Sequence, residues 1–272
     1  MTAVRARRVP SADLDLAVTE RGDPTRPAVV LIHGYPDTQA VWAPVAENLA
    51  SRFFVVTYDV RGAGRSQAPG QNSGYAMAHL MADLAAVIEA TCGGVPVHLV
   101  GHDWGALQGW EAATTDLASR LLSFTAISGP CLDHAAYWVR ERLSRPTPRN
   151  LADLARQAKR SWYIAALLTP GAAEKLWGNA LASRWSAYLE RREGVSAGAG
   201  HPAPTLAGDG IRGANLYIQN VTHRLGHPRP DPVARVPVQV IIAERDRYLS
   251  PSLCGDVGRW VPSLRVVRID AG

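Results

Sequence analysis

Residues 4–22 alternate apolar and polar positions (Val4, Ala6, then Leu14, Leu16, Val18) and predict two antiparallel strands at a sheet edge. Gly22-Asp23-Pro24 breaks the second. Ala28–Ile32 is a continuous apolar run, the pattern of a parallel strand covered on both faces. It ends in His33-Gly34-Tyr35-Pro36, a turn in which a cis proline is expected. Trp42–Leu49 reads as a helix and Phe53–Tyr58 as the next strand. Tyr75–Thr91 places Leu80, Leu84, Val87 and Ile88 on one face of an amphipathic helix. Val97–Val100 and Leu121–Ile127 are further strands, with an apolar, Ala-rich helical segment between them. From Cys131 to about Pro230 the pattern turns helical, with Trp138, Trp162, Tyr163, Trp177, Trp185 and Tyr188 set among basic residues. Within it, Val195–Gly210 is rich in Gly, Ala and Pro and reads as a mobile loop. Strand patterning resumes at Val238–Ala243 and Leu264–Ile269. The chain is thus expected to be α/β. Residues 1–130 and 231–272 would form one mostly parallel sheet with flanking helices, and 131–230 a helical lid inserted between two strands.

Composition narrows the function classes. The 272 residues are 47% hydrophobic and 19% charged, as in a globular protein with one large core. No segment is long and apolar enough to span a bilayer. The start, Met1-Thr2-Ala3-Val4-Arg5, shows no signal peptide, so a cytoplasmic location is expected. The net charge of +5 does not point to nucleic acid, because the basic residues are scattered and form no stripe with aromatics. Cys92, Cys131 and Cys254 make no Cys-x-x-Cys pair and read as incidental thiols rather than a metal site.

The chemistry concentrates in Val97–Ala106. A strand, then Gly101-His102-Asp103-Trp104-Gly105, then a helix is the pattern of a nucleophile elbow, whose small flanking residues permit a strained turn. Its centre here is Asp rather than Ser. A carboxylate attacking an alkyl carbon forms an ester, which points to epoxides or alkyl halides as substrates. Beside an elbow, His33-Gly34-Tyr35-Pro36 suggests an oxyanion hole built from the Tyr35 and Trp104 N–H groups. The run Asp59–Ser66 lacks the glycine pattern of a dinucleotide or phosphate loop and reads as a structural turn.

Together these motifs resemble the α/β-hydrolase-fold epoxide hydrolases over essentially the whole chain. His33 to Pro36 resembles the family's oxyanion motif, and Asp59–Ser66 its Asp-x-Arg-Gly-x-Gly-x-Ser turn. Gly101 to Gly105 matches its elbow with Asp as nucleophile. Ser161-Trp162-Tyr163 followed by Pro170-Gly171 is similar to the segment with the first epoxide-binding tyrosine, and Asn215-Leu216-Tyr217 sits where the second is expected. Ala243-Glu244-Arg245-Asp246 resembles the loop that carries the acid of the charge relay.

The resemblance implies that Tyr163 and Tyr217 hold the epoxide oxygen, Asp103 attacks a ring carbon, and a His oriented by Asp246 activates water. The product would be a vicinal diol, with no metal or organic cofactor required. His33 and His102, like the motif glycines, would serve structure. The substrate would be a small apolar epoxide. The texture is most similar to the hydrolase half of actinobacterial proteins that join an epoxide hydrolase to a C-terminal short-chain oxidoreductase. A fused oxidoreductase and a homo-oligomer are therefore partners to consider, whereas nucleic acid and membrane insertion are not. In the family the last strand is followed by x-x-Gly-His, and here Gly272 is the final residue. The chain is accordingly expected to stop one residue short of its general base.

Two rivals stand beside this reading. A haloalkane dehalogenase shares the Asp nucleophile, the Trp after it and the lid, but more often carries Asn where Tyr35 stands. A lid-bearing scaffold without its base could instead bind a ligand or dock a fused partner without catalysis.

Overall fold

In the computed structural model, which describes residues 4–198 and 200–271, the chain is built on one eight-stranded sheet. The strands are β1 (Val4–Ser11), β2 (Leu14–Arg21), β3 (Ala28–Ile32), β4 (Phe54–Tyr58), β5 (Val97–His102), β6 (Leu121–Ile127), β7 (Val238–Ala243) and β8 (Leu264–Ile269). Their spatial order is β1-β2-β4-β3-β5-β6-β7-β8. β2 pairs antiparallel with both β1 and β4, and every other pairing is parallel.

The apolar runs of β3 and β4 are explained by burial on both faces. Val30 and Ile32 point into the larger core with Val56 and Tyr58, while Val29 and Leu31 point to the other side with Val55, Trp42 and Ala46. Alternate side chains of a strand face opposite ways, so only a strand with two covered faces is apolar at every position.

Helices α1 (Ala43–Leu49), α2 (Met77–Cys92) and α3 (Trp104–Ala113) flank the sheet. On α2, Leu80, Leu84, Val87 and Ile88 have no exposed surface, the stripe that the sequence periodicity predicts. The expected helix at Trp42–Leu49 is split into a 3-10 turn at Gln39–Trp42 and α1. Similarly, the expected helix from Tyr75 begins at Met77, after a 3-10 turn at Asn72–Tyr75. Such offsets of one or two residues are ordinary where the end turn tightens.

Between β6 and β7 lie α4 (Leu132–Ser144), α5 (Pro148–Arg160), α6 (Trp162–Leu167), α7 (Ala172–Leu176), α8 (Ala182–Glu193) and α9 (Leu206–Gly226). The short α10 (Pro251–Gly255) follows β7. The loop expected over Val195–Gly210 is therefore shorter than its composition suggests, because α9 already includes Leu206–Gly210. Two glycines of α9 serve packing: a Cβ on Gly210 would overlap the Trp177 indole, and one on Gly213 would lie 2.7 Å from the Tyr35 ring.

Polar contacts fix this insertion to the sheet layer. Asn220 on α9 accepts from the Met77 N–H at 2.7 Å and donates to the Tyr75 carbonyl at 2.9 Å. Arg224 and Arg229 both reach Glu111 on α3 and Asp133 on α4, at 2.7–3.2 Å.

The turn Asp59–Ser66 is structural, as its sequence suggests. Arg61 is fully buried and holds Asp83 in a bidentate pair, both contacts at 2.7 Å, while its remaining nitrogen donates to the Gly74 carbonyl at 2.8 Å. Removing one member of such a pair strands the other charge without solvent. Arg61→Met is expected to lower the unfolding free energy by about 3–5 kcal/mol in urea titrations. A loss under about 1 kcal/mol, the range of an exposed pair, would show that the pair does not anchor this turn.

Candidate active site

The order of strands places the site. After β3 the chain moves to one side to form β4 and then to the other to form β5, so the crevice between β3 and β5 opens at their C-terminal ends. Ligands bind at such switch points in open α/β sheets. Both predicted motifs lie there: His33 to Pro36 after β3, and Asp103 after β5.

Asp103 has φ 50° and ψ −119°, a conformation that L-residues rarely adopt. Strain of this kind costs on the order of 1–3 kcal/mol and persists only when the surroundings enforce it. Here backbone packing does so. A Cβ on Gly101 would run into the Gly105 carbonyl, and one on Gly105 into the Ile32 carbonyl. A Cβ on Gly34 would lie 2.6 Å from Asp103 Oδ1. The three glycines let β3, β5 and α3 close onto one point, and the half-buried Asp103 side chain projects from it.

That carboxylate is met by main-chain donors. The Tyr35 N–H donates to Oδ1 at 2.8 Å, and the Trp104 N–H, the first of α3, also favours the charged form. Burial is the largest influence and pushes the Asp103 pKa up, with His102 and the two N–H groups opposing it and Asp246 adding to the rise. The Tyr35–Pro36 peptide is cis.

The remaining site candidates fall in place as follows. His33 is buried; its Nδ1 lies 2.8 Å from the Gly34 carbonyl and its Nε2 accepts the Val60 N–H at 2.9 Å. Burial lowers its pKa. It therefore bridges the ends of β3 and β4 with both ring nitrogens engaged. His102, next to Asp103, is half-buried. Asp246, beyond β7, is buried and accepts at Oδ1 from the N–H groups of Tyr248 and Leu249, at 2.7 and 2.9 Å. Its Oδ2 has no hydrogen-bond partner among the described residues. No histidine among them pairs with Asp246. Gly272, expected beside the two acids, lies outside the described residues.

Aromatic rings from the inserted helices pack over Trp104, the residue after Asp103. Tyr217 on α9 meets the Trp104 indole edge-on with ring centroids 4.9 Å apart, and Tyr163 on α6 meets Tyr217 at 6.0 Å. Burial raises the pKa of both phenols, and the Asp103 charge adds to the effect in each case. Both are thus neutral O–H donors throughout the physiological range.

Three participants are not legible as such in the sequence. The Tyr35 side chain binds the insertion: its O–H donates to the Gly210 carbonyl at 2.8 Å and accepts from the Trp177 indole at 2.6 Å. Tyr248 packs edge-on against Tyr163 at 5.3 Å, and its hydroxyl lies 2.8 Å from that of Tyr188. Asp37 sits between the site and the segment before α9, with His201 Nδ1 3.5 Å from its Oδ1. For Asp37 alone a clue existed, since it directly follows the His33–Pro36 motif.

The chain belongs to the α/β-hydrolase fold family, whose model matches residues 27–272. It is 38% identical, over its whole length, to 47% of the protein named "Probable oxidoreductase EphD" of Mycobacterium tuberculosis H37Rv. It is also 31% identical to an epoxide hydrolase of Caballeronia sordidicola, over 71% of this chain and 59% of that one. The chain thus spans about half the length of its EphD relatives. Among solved structures, a Bacillus megaterium epoxide hydrolase with a bound inhibitor superposes with a TM-score of 0.80 at 20% identity. That alignment covers 97% of this chain and 92% of the other. The epoxide hydrolase VrEH1 from Vigna radiata gives 0.75 at 24% identity, covering 97% and 90%. At these identities the superpositions establish the shared fold.

Burial raises the Asp37 pKa to about 6, with His102 opposing the shift. A carboxyl whose folded pKa exceeds its unfolded value stabilises the fold while protonated, and that contribution is lost as pH rises toward 6. Asp37→Asn should therefore flatten the stability profile between pH 4 and 6 and raise stability at pH 7 by up to about 3 kcal/mol. Chemical unfolding across pH 4–8 checks this, and an unchanged profile would contradict it.

Proposed function

We propose that this chain opens a small apolar epoxide by alkylation of Asp103. The observation that carries the reading is the hydrogen bond of one Asp103 oxygen to the Tyr35 N–H, with the neutral phenols of Tyr217 and Tyr163 stacked outward from the adjoining Trp104. Oδ1, already held by an N–H donor, is the oxygen that remains a carbonyl in the ester. Oδ2 is then the nucleophile: its lone pair forms the C–O bond as the ring C–O bond breaks. The departing oxygen takes a proton from Tyr163 or Tyr217. Two phenols hydrogen-bonding one oxygen stabilise the charge that develops on it, the kind of preorganised donation that contributes most to many enzymes.

The second half-reaction is addition of water to the ester carbonyl. The Tyr35 and Trp104 N–H groups would stabilise the resulting oxyanion, by roughly 3–4 kcal/mol per donor in comparable holes. The free Oδ2 of Asp246 suits it to orient an imidazole, in line with the family resemblance. Because no histidine of the described residues pairs with it, ring opening and ester hydrolysis are proposed to separate in residues 1–272. The greater length of the EphD relatives, and the oxidoreductase in their name, support a further fused domain as a partner.

Incubation of the chain with styrene oxide should add one substrate mass to the protein without multiple turnover. Asp103→Ala should remove the adduct while leaving the fold intact. Tyr163→Phe and Tyr217→Phe should each slow adduct formation at least tenfold without abolishing it, since one phenol remains. The rate should fall as pH drops through the Asp103 pKa, which burial has raised. Sustained diol production by residues 1–272 would overturn the separation of steps. Bromide release from 1-bromobutane with no styrene oxide adduct would favour a dehalogenase instead.

A further inference from the structure

A cleft of about 430 Å³ lies away from Asp103, on the sheet face that carries α1. Its floor is the pairing of β2 with β4, where Thr19 and Thr57 are direct cross-strand partners and Arg21 follows on the same face. One wall is the 3-10 turn and α1, which present Ala40, Ala43 and Ala46 at three-residue spacing. The segment before α9 roofs the cleft with Gly200, Ala203, Pro204 and Thr205. A Cβ on Gly200 would lie 3.8 Å from that of Ala40. The volume therefore exists because both wall and roof carry small residues. It lies within the usual range of small-molecule sites.

The charges in this cleft are unbalanced. Arg21 and Arg65 both line it, and neither guanidinium has a hydrogen bond or ion pair among the described residues. Arg21 is half-buried and Arg65 exposed, whereas the buried Arg61 is paired with Asp83, and the half-buried Arg224 and Arg229 with Asp133 and Glu111. The one lining carboxylate, Asp59, is buried with both oxygens taken, Oδ1 by the Gln39 N–H and Oδ2 by the Arg65 N–H, each at 2.9 Å. Thr19 adds a hydroxyl with no hydrogen-bond partner among the described residues. Two free guanidinium forks beside a hydroxyl and an alanine-lined wall suit an anionic head with an apolar body.

We propose that this cleft binds a small organic anion, its carboxylate or phosphate held by Arg21 and Arg65 and its body against Ala40, Ala43 and Ala46. The roof segment leads directly into α9, which carries Tyr217, so an occupant would fasten that segment to β2 and β4.

Isothermal titration at low ionic strength with benzoate, phenyl phosphate and benzyl alcohol tests this. One or both anions should bind saturably at a 1:1 ratio, the tighter of them naming the headgroup, and benzyl alcohol should not bind. Arg21→Gln and Arg65→Gln should each weaken binding tenfold or more. Ala43→Phe, which fills the cleft without changing charge, should abolish it. Asp103→Ala should leave it unchanged, which separates this cleft from the reaction site. In the unaltered chain, hydrogen exchange of residues 200–205 should slow on adding the anion, a readout that does not depend on any variant folding. The proposal is overturned if neither anion binds, if benzyl alcohol binds equally well, or if Ala43→Phe or both arginine variants bind like the unaltered chain. Absence of exchange protection at 200–205 on saturation would equally overturn it.

Discussion

Close approach of backbone to backbone at the ends of β3 and β5 is the constraint on which the site depends. Gly101 and Gly105 let the start of α3 lie against β5 and β3, and Gly34 leaves room for the Asp103 carboxylate. None of the three contacts tolerates a Cβ without displacing main chain or the Asp103 side chain. The strained φ of Asp103 follows from that closure. The same closure brings the Tyr35 N–H within hydrogen-bond distance of Oδ1. The strain, the glycines and the Tyr35 N–H contact are thus consequences of one packing arrangement.

A second arrangement joins the inserted helices to this point, and Tyr35 belongs to both. Its N–H faces Asp103, while its hydroxyl is fixed between Gly210 and Trp177. Gly213 leaves space for its ring. Motion of α9 against the sheet layer would therefore move the turn that donates to Asp103. The ion pairs of Arg224 and Arg229 and the hydrogen bonds of Asn220 oppose such motion at the far end of α9. These contacts hold Tyr217 on α9 against Trp104.

Much of this was legible in the sequence because periodicity and glycine spacing carry it. The apolar run Ala28–Ile32 marked β3 as doubly covered, the Leu80–Ile88 stripe marked α2, and Gly101-x-Asp103-x-Gly105 marked the elbow. What escaped depended on contacts between segments distant in the chain. The glycines of α9 read as a loop signal because glycine lowers helix propensity, and only the rings of Trp177 and Tyr35 explain their use in a helix. The hydroxyl of Tyr35 and the position of Tyr248 had no local signature. The anion cleft was invisible for the same reason, since Arg21, Ala43 and Arg65 come together only in the folded chain.

The account turns on which Asp103 oxygen reacts. A crystal structure of the chain after exposure to styrene oxide measures this directly. The predicted result is an ester through Oδ2, with Oδ1 still accepting the Tyr35 N–H near 2.8 Å and the new hydroxyl between Tyr163 and Tyr217. An adduct on any other residue, or alkylation of Oδ1 with the Tyr35 N–H left unpaired, would contradict it.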